Sequence, residues 1–207
     1  MSVQDKEFYE IDEDEGVISP DLLLLNYSNG YFPMWDSQTN KIYWYSAQHR
    51  AIFPLNSTKI RRSVKQSANK LGFRFELNKD FNAVITHCAQ CREDTWISEK
   101  IIRSFVNLHN LGFAHSAETW IDDQLVGGLY GVVIGGAFFG ESMFSLVSDA
   151  SKFAFYNLRI HLIKQNFYLL DAQFINEHTA SLGAIEIPDK EYINLLSKAI
   201  FKPCKFI

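Results

Sequence analysis

The stretch FAHSAETWIDDQLVGGLYGVVIGGAFFGESMFS, residues 113–145, decides the fold. Three strand-like runs, 113–120, 125–133 and 137–145, are separated by Asp122-Asp123 and by Ile134-Gly135-Gly136, both turn sequences. Strands joined this tightly form an antiparallel meander. The uncharged run 125–140 is 16 residues long with six glycines, too short and too flexible to cross a bilayer as a helix.

Downstream of the meander the sequence predicts a helix over about 150–165, a strand over 167–174, a short turn-rich segment and a last helix after Pro188. Upstream, Ser98 opens a helix that stops at Gly112. Asp80 opens another, on which Phe81, Val84, Ile85 and Cys88 keep a 3.6-residue period. A basic helix over 60–71, closed by Gly72, leads into an alternating strand at 73–77. Ser19-Pro20 starts the first helix, which ends at Gly30, and 31–35 and 42–45 are aromatic strands. Helices flanking a meander and a returning strand make an α+β fold. A composition shift near 70–80 divides a small N-terminal α+β part, 1–75, from a larger C-terminal part, 76–207.

Composition narrows the class. The 207 residues are 47 % apolar and include 17 Phe, 9 Tyr and 4 Trp, which excludes a disordered chain. Three cysteines cannot make a secreted disulfide framework, and the acidic start has no apolar signal region, so a cytoplasmic protein is expected. The net charge of −4 is unevenly placed: residues 1–16 hold seven acids against Lys6, and the remainder carries +2. Within that remainder Lys59, Arg61, Arg62 and Lys65 follow one another with no acid between them. They are either a solvated helix face or a patch that tracks phosphates.

Two acids stand out. On the strand 167–174, alternation puts Asp171 and Gln173 on one face among apolar neighbours, where an unpaired carboxylate is costly. Asp171 either caps a loop that Gln173 braces, or it receives a proton while the amide holds it in orientation. Glu141 follows a glycine on the third strand of the meander. It either faces water at a strand end or joins Asp171 in attracting a cationic substrate or an amine. Trp96, just before a helix start, and the N-terminal aromatics are core residues or stacking platforms. His87-Cys88 and Cys91 lack the further ligands of a zinc site, so Cys88 reads as core, no metal is expected, and no phosphate-binding glycine loop is present.

The blocks LLLLNYSNGYFPMW (22–35), IYWYSAQHRAIFP (42–54), DTWIS (94–98), FFGESMFS (138–145), ASKFAFYNL (150–158) and LLDAQFINEHTASLGAIEIP (169–188) resemble the bacterial leucyl/phenylalanyl-tRNA–protein transferases. The resemblance spans about residues 17–200. It implies an N-acetyltransferase-like C-terminal domain beside a small N-terminal domain, and no cofactor. It implies transfer of Leu or Phe, and Met less well, from aminoacyl-tRNA to proteins beginning with Arg or Lys, marking them for degradation. A monomer without membrane contact is expected.

Carried over by position, Asp171, Gln173 and Glu141 fall on catalytic positions, and Trp96 on an aromatic that meets the terminal adenosine. Leu129, Phe138, Leu158 and Leu170 fall on the amino-acid pocket, and Lys59, Arg61, Arg62 and Lys65 where the tRNA acceptor stem lies. Met34 and Phe105 also fall on substrate-contacting positions, but as departures: some members have Trp at the first and often Tyr at the second. Ser46-Ala47 replaces a Ser-Pro pair. Two rivals are an acetyl-CoA-dependent N-acetyltransferase and a non-enzymatic tRNA-binding module. The first needs a glycine-rich strand-to-helix turn, and SLVSDASKF (145–153) has no glycine.

Overall fold

The computed structural model describes residues 6–12, 16–91 and 95–207, with the backbone alone described over 6–12. Much of the acidic lead, including Asp5 and Asp14, and Asp94 of the DTWIS block lie outside the described residues. The elements run β1 (Lys6–Asp12), α1 (Pro20–Ser28), β2 (Phe32–Asp36), β3 (Lys41–Tyr45), β4 (His49–Ile52), α2 (Arg62–Leu71) and β5 (Arg74–Leu77). They continue with α3 (Phe81–Gln90), α4 (Glu99–Asn110), β6 (Ala114–Ile121), β7 (Gln124–Ile134), β8 (Ala137–Ser145) and α5 (Ala150–Lys164). The last four are β9 (Leu169–Gln173), α6 (Glu177–Leu182), β10 (Ile185–Pro188) and α7 (Asp189–Ile200).

Local signals place most of these boundaries. The Asp80 carboxylate accepts from the Ala83 N–H and the Ser98 hydroxyl from the Ile101 N–H, so each caps the helix it opens. Pro20 occupies the first turn of α1, and α2 closes on Gly72 at φ +69°, a left-handed position that glycine adopts without strain.

The strands form two sheets. A three-stranded sheet has the order β1-β3-β2, and a seven-stranded sheet has the order β10-β4-β9-β8-β7-β6-β5. The meander is β6 to β8, antiparallel throughout, and β5 pairs antiparallel with β6 at the outer edge. Beside the meander β9 returns parallel to β8 after crossing over through α5. Residues 49–75, grouped by composition with the N-terminal part, supply β4 and β5 to the larger sheet. β1, β4, α6 and β10 are additions that the sequence pattern does not predict.

Neighbouring residues of the central strands bury into different clusters, so the large sheet is covered on both faces. Val132, Phe139 and Leu169 pack with α1, α3, α4 and α7, whereas Val133, Phe138 and Leu170 pack with α5 and Phe206. Gly127 lets α5 lie flat on β7: a Cβ there would stand 2.6 Å from Ala150 Cβ. None of the described helices is long and apolar enough to cross a membrane.

Candidate active site

The centre of the large sheet carries two irregularities. In the β7/β8 pair, Tyr130 faces Ser142 and Gly131 faces Gly140, so Glu141 is the extra residue of a bulge. In the β4/β9 pair, Ala51 faces Gln173 and Ile52 faces Asp171, so Ala172 is extra as well, and Gln173 sits at φ +61°. Bulges re-aim side chains. Strict alternation, which puts the Asp171 and Gln173 side chains together on one face, is therefore broken between them.

The result differs from an acid held by an amide. Asp171, with no exposed surface, receives Arg50 Nε at 2.9 Å and Arg50 Nη2 at 2.6 Å. The Tyr192 hydroxyl donates to it at 2.8 Å, and the backbone N–H of Gln173 donates at 2.9 Å. Arg50 lies between the rings of Phe32 and Tyr192, 4.5 and 4.7 Å from their centroids, and gives Nη1 to the carbonyl of Gly30 at 3.0 Å. Burial opposes the guanidinium charge most strongly, but Asp171, with Tyr192 and Glu141 adding to it, holds Arg50 more firmly protonated than usual. Four donors from three residues thus converge on the Asp171 carboxylate.

Glu141 is the opposite case. Its Oε1 accepts from the Tyr27 hydroxyl at 2.7 Å and from the side-chain amide of Gln173 at 2.9 Å, while Oε2 is buried with no partner. Burial raises its pKa from 4.5 to about 8, with Asp171 adding to the rise and the bond from Tyr27 opposing it. Near neutral pH the protonated carboxyl is therefore favoured.

Both acids border a cavity of about 470 Å³, within the range of small-ligand sites. Leu129, Phe138, Leu158 and Leu170, four residues from four different elements, all line it. Met34 and Trp96 line it too, joined through the bond from the Trp35 N–H to the Trp96 carbonyl. Phe105 does not. It is fully buried beneath the site, edge-on to Tyr27 and to Tyr130, so its contact is with the residue that holds Glu141.

Lys59, Arg61, Arg62 and Lys65 are all exposed, and Val64 and Ala68 on the other side of α2 are buried. Arg61 donates to the carbonyl of Ser181, and Arg159 donates to that of Lys59 at 2.9 Å. The first bond ties the basic segment to α6, whose His178, Thr179 and Leu182 line the cavity, and the second ties it to α5. Sequence reasoning missed Arg50, Tyr27 and Tyr192. Arg50 alone left a signal, as a single cation directly before the apolar residues Ala51, Ile52 and Phe53.

Cys88 is buried in the core, and His87 stacks on Phe144. Among the described residues no group of three or more His, Cys, Asp or Glu is placed to hold a metal. At the junction before α5, the Ser145 hydroxyl receives the Ser151 N–H and Asp149 pairs with Lys152 at 2.9 Å. An acid and a hydroxyl thus occupy the place where a pyrophosphate would need free amides.

An apolar cavity with a buried acid in its lining suits an apolar acyl group, the substrate chemistry of an acyltransferase. Comparison with known proteins narrows it. The family model for the leucyl/phenylalanyl-tRNA protein transferase matches residues 52–197, and that for the N-terminal domain of the same protein matches 16–48. A leucyl/phenylalanyl-tRNA–protein transferase of Chlorobium limicola is 48 % identical over 188 residues, 89 % of this chain and 97 % of its own. That of Gloeobacter violaceus is 46 % identical over 189 residues, 91 % of this chain and 97 % of its own. The chain belongs to the leucyl/phenylalanyl-tRNA–protein transferase family.

Proposed function

We propose that this protein moves Leu or Phe, and Met less efficiently, from aminoacyl-tRNA to the N-terminal Arg or Lys of acceptor proteins and so marks them for degradation. The observation that carries the reading is an apolar cavity with the Glu141 side chain in its lining. The donor side chain fills the space among Leu129, Phe138, Leu158 and Leu170. Trp96 and Met34 flank the terminal adenosine, where an aromatic face is worth about 1–3 kcal/mol per base. The basic segment Lys59–Lys65 follows acceptor-stem phosphates, which are read by shape and charge because A-form RNA hides its base edges.

The ester bond to the tRNA ribose is already activated, so the chain's work is to align it and to move one proton. The acceptor amine attacks the ester carbonyl, the bond to the ribose oxygen breaks and an amide forms. The proton leaves the amine for the Glu141 carboxylate and returns to the departing ribose oxygen. A free α-amine titrates near 7.7–8.0, so a neutral fraction is present near neutral pH, and an ionised Glu141 takes the N–H proton that becomes acidic as the C–N bond forms. A cationic first residue on the acceptor lowers the Glu141 pKa as it binds, which links recognition of Arg or Lys to formation of the base. Asp171 and Arg50 form the rigid floor beneath, and Gln173 joins the two acids through its backbone and its side chain.

The test mixes the purified protein, leucyl-tRNA and a peptide beginning with Arg. The peptide is expected to gain the mass of one leucine, and to gain nothing with uncharged tRNA. An unchanged peptide, or acetylation from acetyl-CoA in its place, overturns the reading.

A further inference from the structure

Phe138 is a wall of the cavity and is itself fully buried. Gly131 provides the space for its ring, since a Cβ there would stand 2.4 Å from Phe138 Cε1. The ring's other aromatic neighbour comes from the segment after α7: Phe206 stacks on Phe138 with centroids 5.7 Å apart and planes 27° from parallel. Phe206 is firmly seated. It stacks on His115 at 4.2 Å and stands edge-on to His161 at 5.1 Å and to Phe167 at 6.3 Å. His161 Nε2 donates to the Phe206 carbonyl at 2.6 Å. Burial lowers the His115 pKa to about 4, so its ring stacks without charge.

Phe206 is 4 % exposed, does not line the cavity and lies past residue 197, where the family match stops. Its one aromatic path to a bound group runs through Phe138. We propose that Phe206 is a positioning residue that fixes the Phe138 ring, and with it the depth of the cavity and the preference among donor side chains. This rests on the acyl-transfer reading above. A smaller residue at 206 leaves a void beside the Phe138 ring, into which the ring relaxes, and the cavity deepens. A deeper cavity holds Leu loosely and accommodates Phe or a larger ring.

The experiment uses the full chain and stable adenosine analogues that carry Leu, Phe or Trp through an amide at the ribose. Their dissociation constants are measured by calorimetry for the wild type, Phe206→Leu and Ile207→Ala, together with kcat and KM for leucyl- and phenylalanyl-tRNA. Phe206→Leu is expected to shift the Leu-to-Phe affinity ratio about tenfold toward Phe, the scale of a methylene-sized misfit. The shift is carried by KM, kcat at saturation is unchanged, and Ile207→Ala matches the wild type. In a Phe138→Leu background the same change at 206 leaves the ratio where Phe138→Leu alone puts it. If Phe206→Leu does not fold, Phe206→Met, which also leaves a void but is unbranched and adapts its shape to the site, is read in the same way. A folded variant whose ratio stays at the wild-type value overturns this inference alone, as does a shift that persists in the Phe138→Leu background. Failure of the wild type to bind any of the three analogues overturns the acyl-transfer reading with it.

Discussion

The two acids beside the cavity have different fates because they have different partners. Asp171 is compensated by a buried arginine, and removing one member of such a pair strands the other. Arg50→Ala is therefore expected to lower folding stability by about 3–5 kcal/mol, measured by urea unfolding at pH 7. Glu141 has no cationic partner, and its stability effect runs with pH. Its folded pKa of about 8 lies above its ordinary 4.5, so the contribution is complete below about pH 4.5 and disappears as pH rises through 8. Glu141→Gln, which cannot ionise, should gain on the wild type by a few kcal/mol between pH 5 and pH 8.5 in unfolding experiments. Equal pH dependence in the two proteins would mean that Glu141 is ionised throughout.

At this scale the acids were legible, and their partners were not. Asp171 and Glu141 stand out as charges in apolar runs. Arg50 lies 121 residues from Asp171 and Tyr27 lies 114 from Glu141, distances over which one sequence carries no pairing signal. Tyr27 and Tyr192 look like ordinary core aromatics until the hydroxyls are placed.

Among the elements, strong local chemistry made α3, α4 and the meander readable: capping residues, turn dipeptides and a clear apolar period. The short strands β4 and β10 were not, because four residues each leave too little pattern and their pairing is settled only by the long return of the chain. The bulges at Glu141 and Ala172 were equally silent, since an extra residue appears only against the partner strand. Phe105 was misplaced for a related reason. Its position on α4 faces the sheet, not the cavity, so it acts on the site only by supporting Tyr27. The close seating of α5 on β7 has a direct test. Gly127→Ala places a methyl 2.6 Å from Ala150 Cβ, which backbone must move to relieve. A loss of about 1–3 kcal/mol in stability is expected from such overpacking, read from the urea midpoint.

Across the whole molecule, charge separates from chemistry. The chain is acidic overall, yet the exposed cations of the 59–65 segment are tied to α6 at the cavity's edge. Replacing Lys59, Arg62 and Lys65 by Ala should raise KM for aminoacyl-tRNA and flatten its salt dependence, by roughly 0.7–0.9 in log–log slope for each phosphate no longer neutralised. kcat should hold, because none of the three lines the cavity. A fall in kcat with an unmoved KM would place the tRNA elsewhere.

The central claim is that Glu141 carries the proton, and single-turnover transfer from phenylalanyl-tRNA to an Arg-initiated peptide, followed from pH 6 to 9, tests it most directly. In the wild type both the amine and Glu141 must lose a proton, so the logarithm of the rate should climb with a slope approaching about 2 at low pH and level off above about pH 8. Glu141→Gln should keep only the amine's slope of about 1, with a rate some 10²–10³ lower at the plateau, a typical contribution of a positioned base. A Glu141→Gln enzyme with the wild-type profile and a rate within about threefold of it would contradict the account, since a base that matters contributes far more than that.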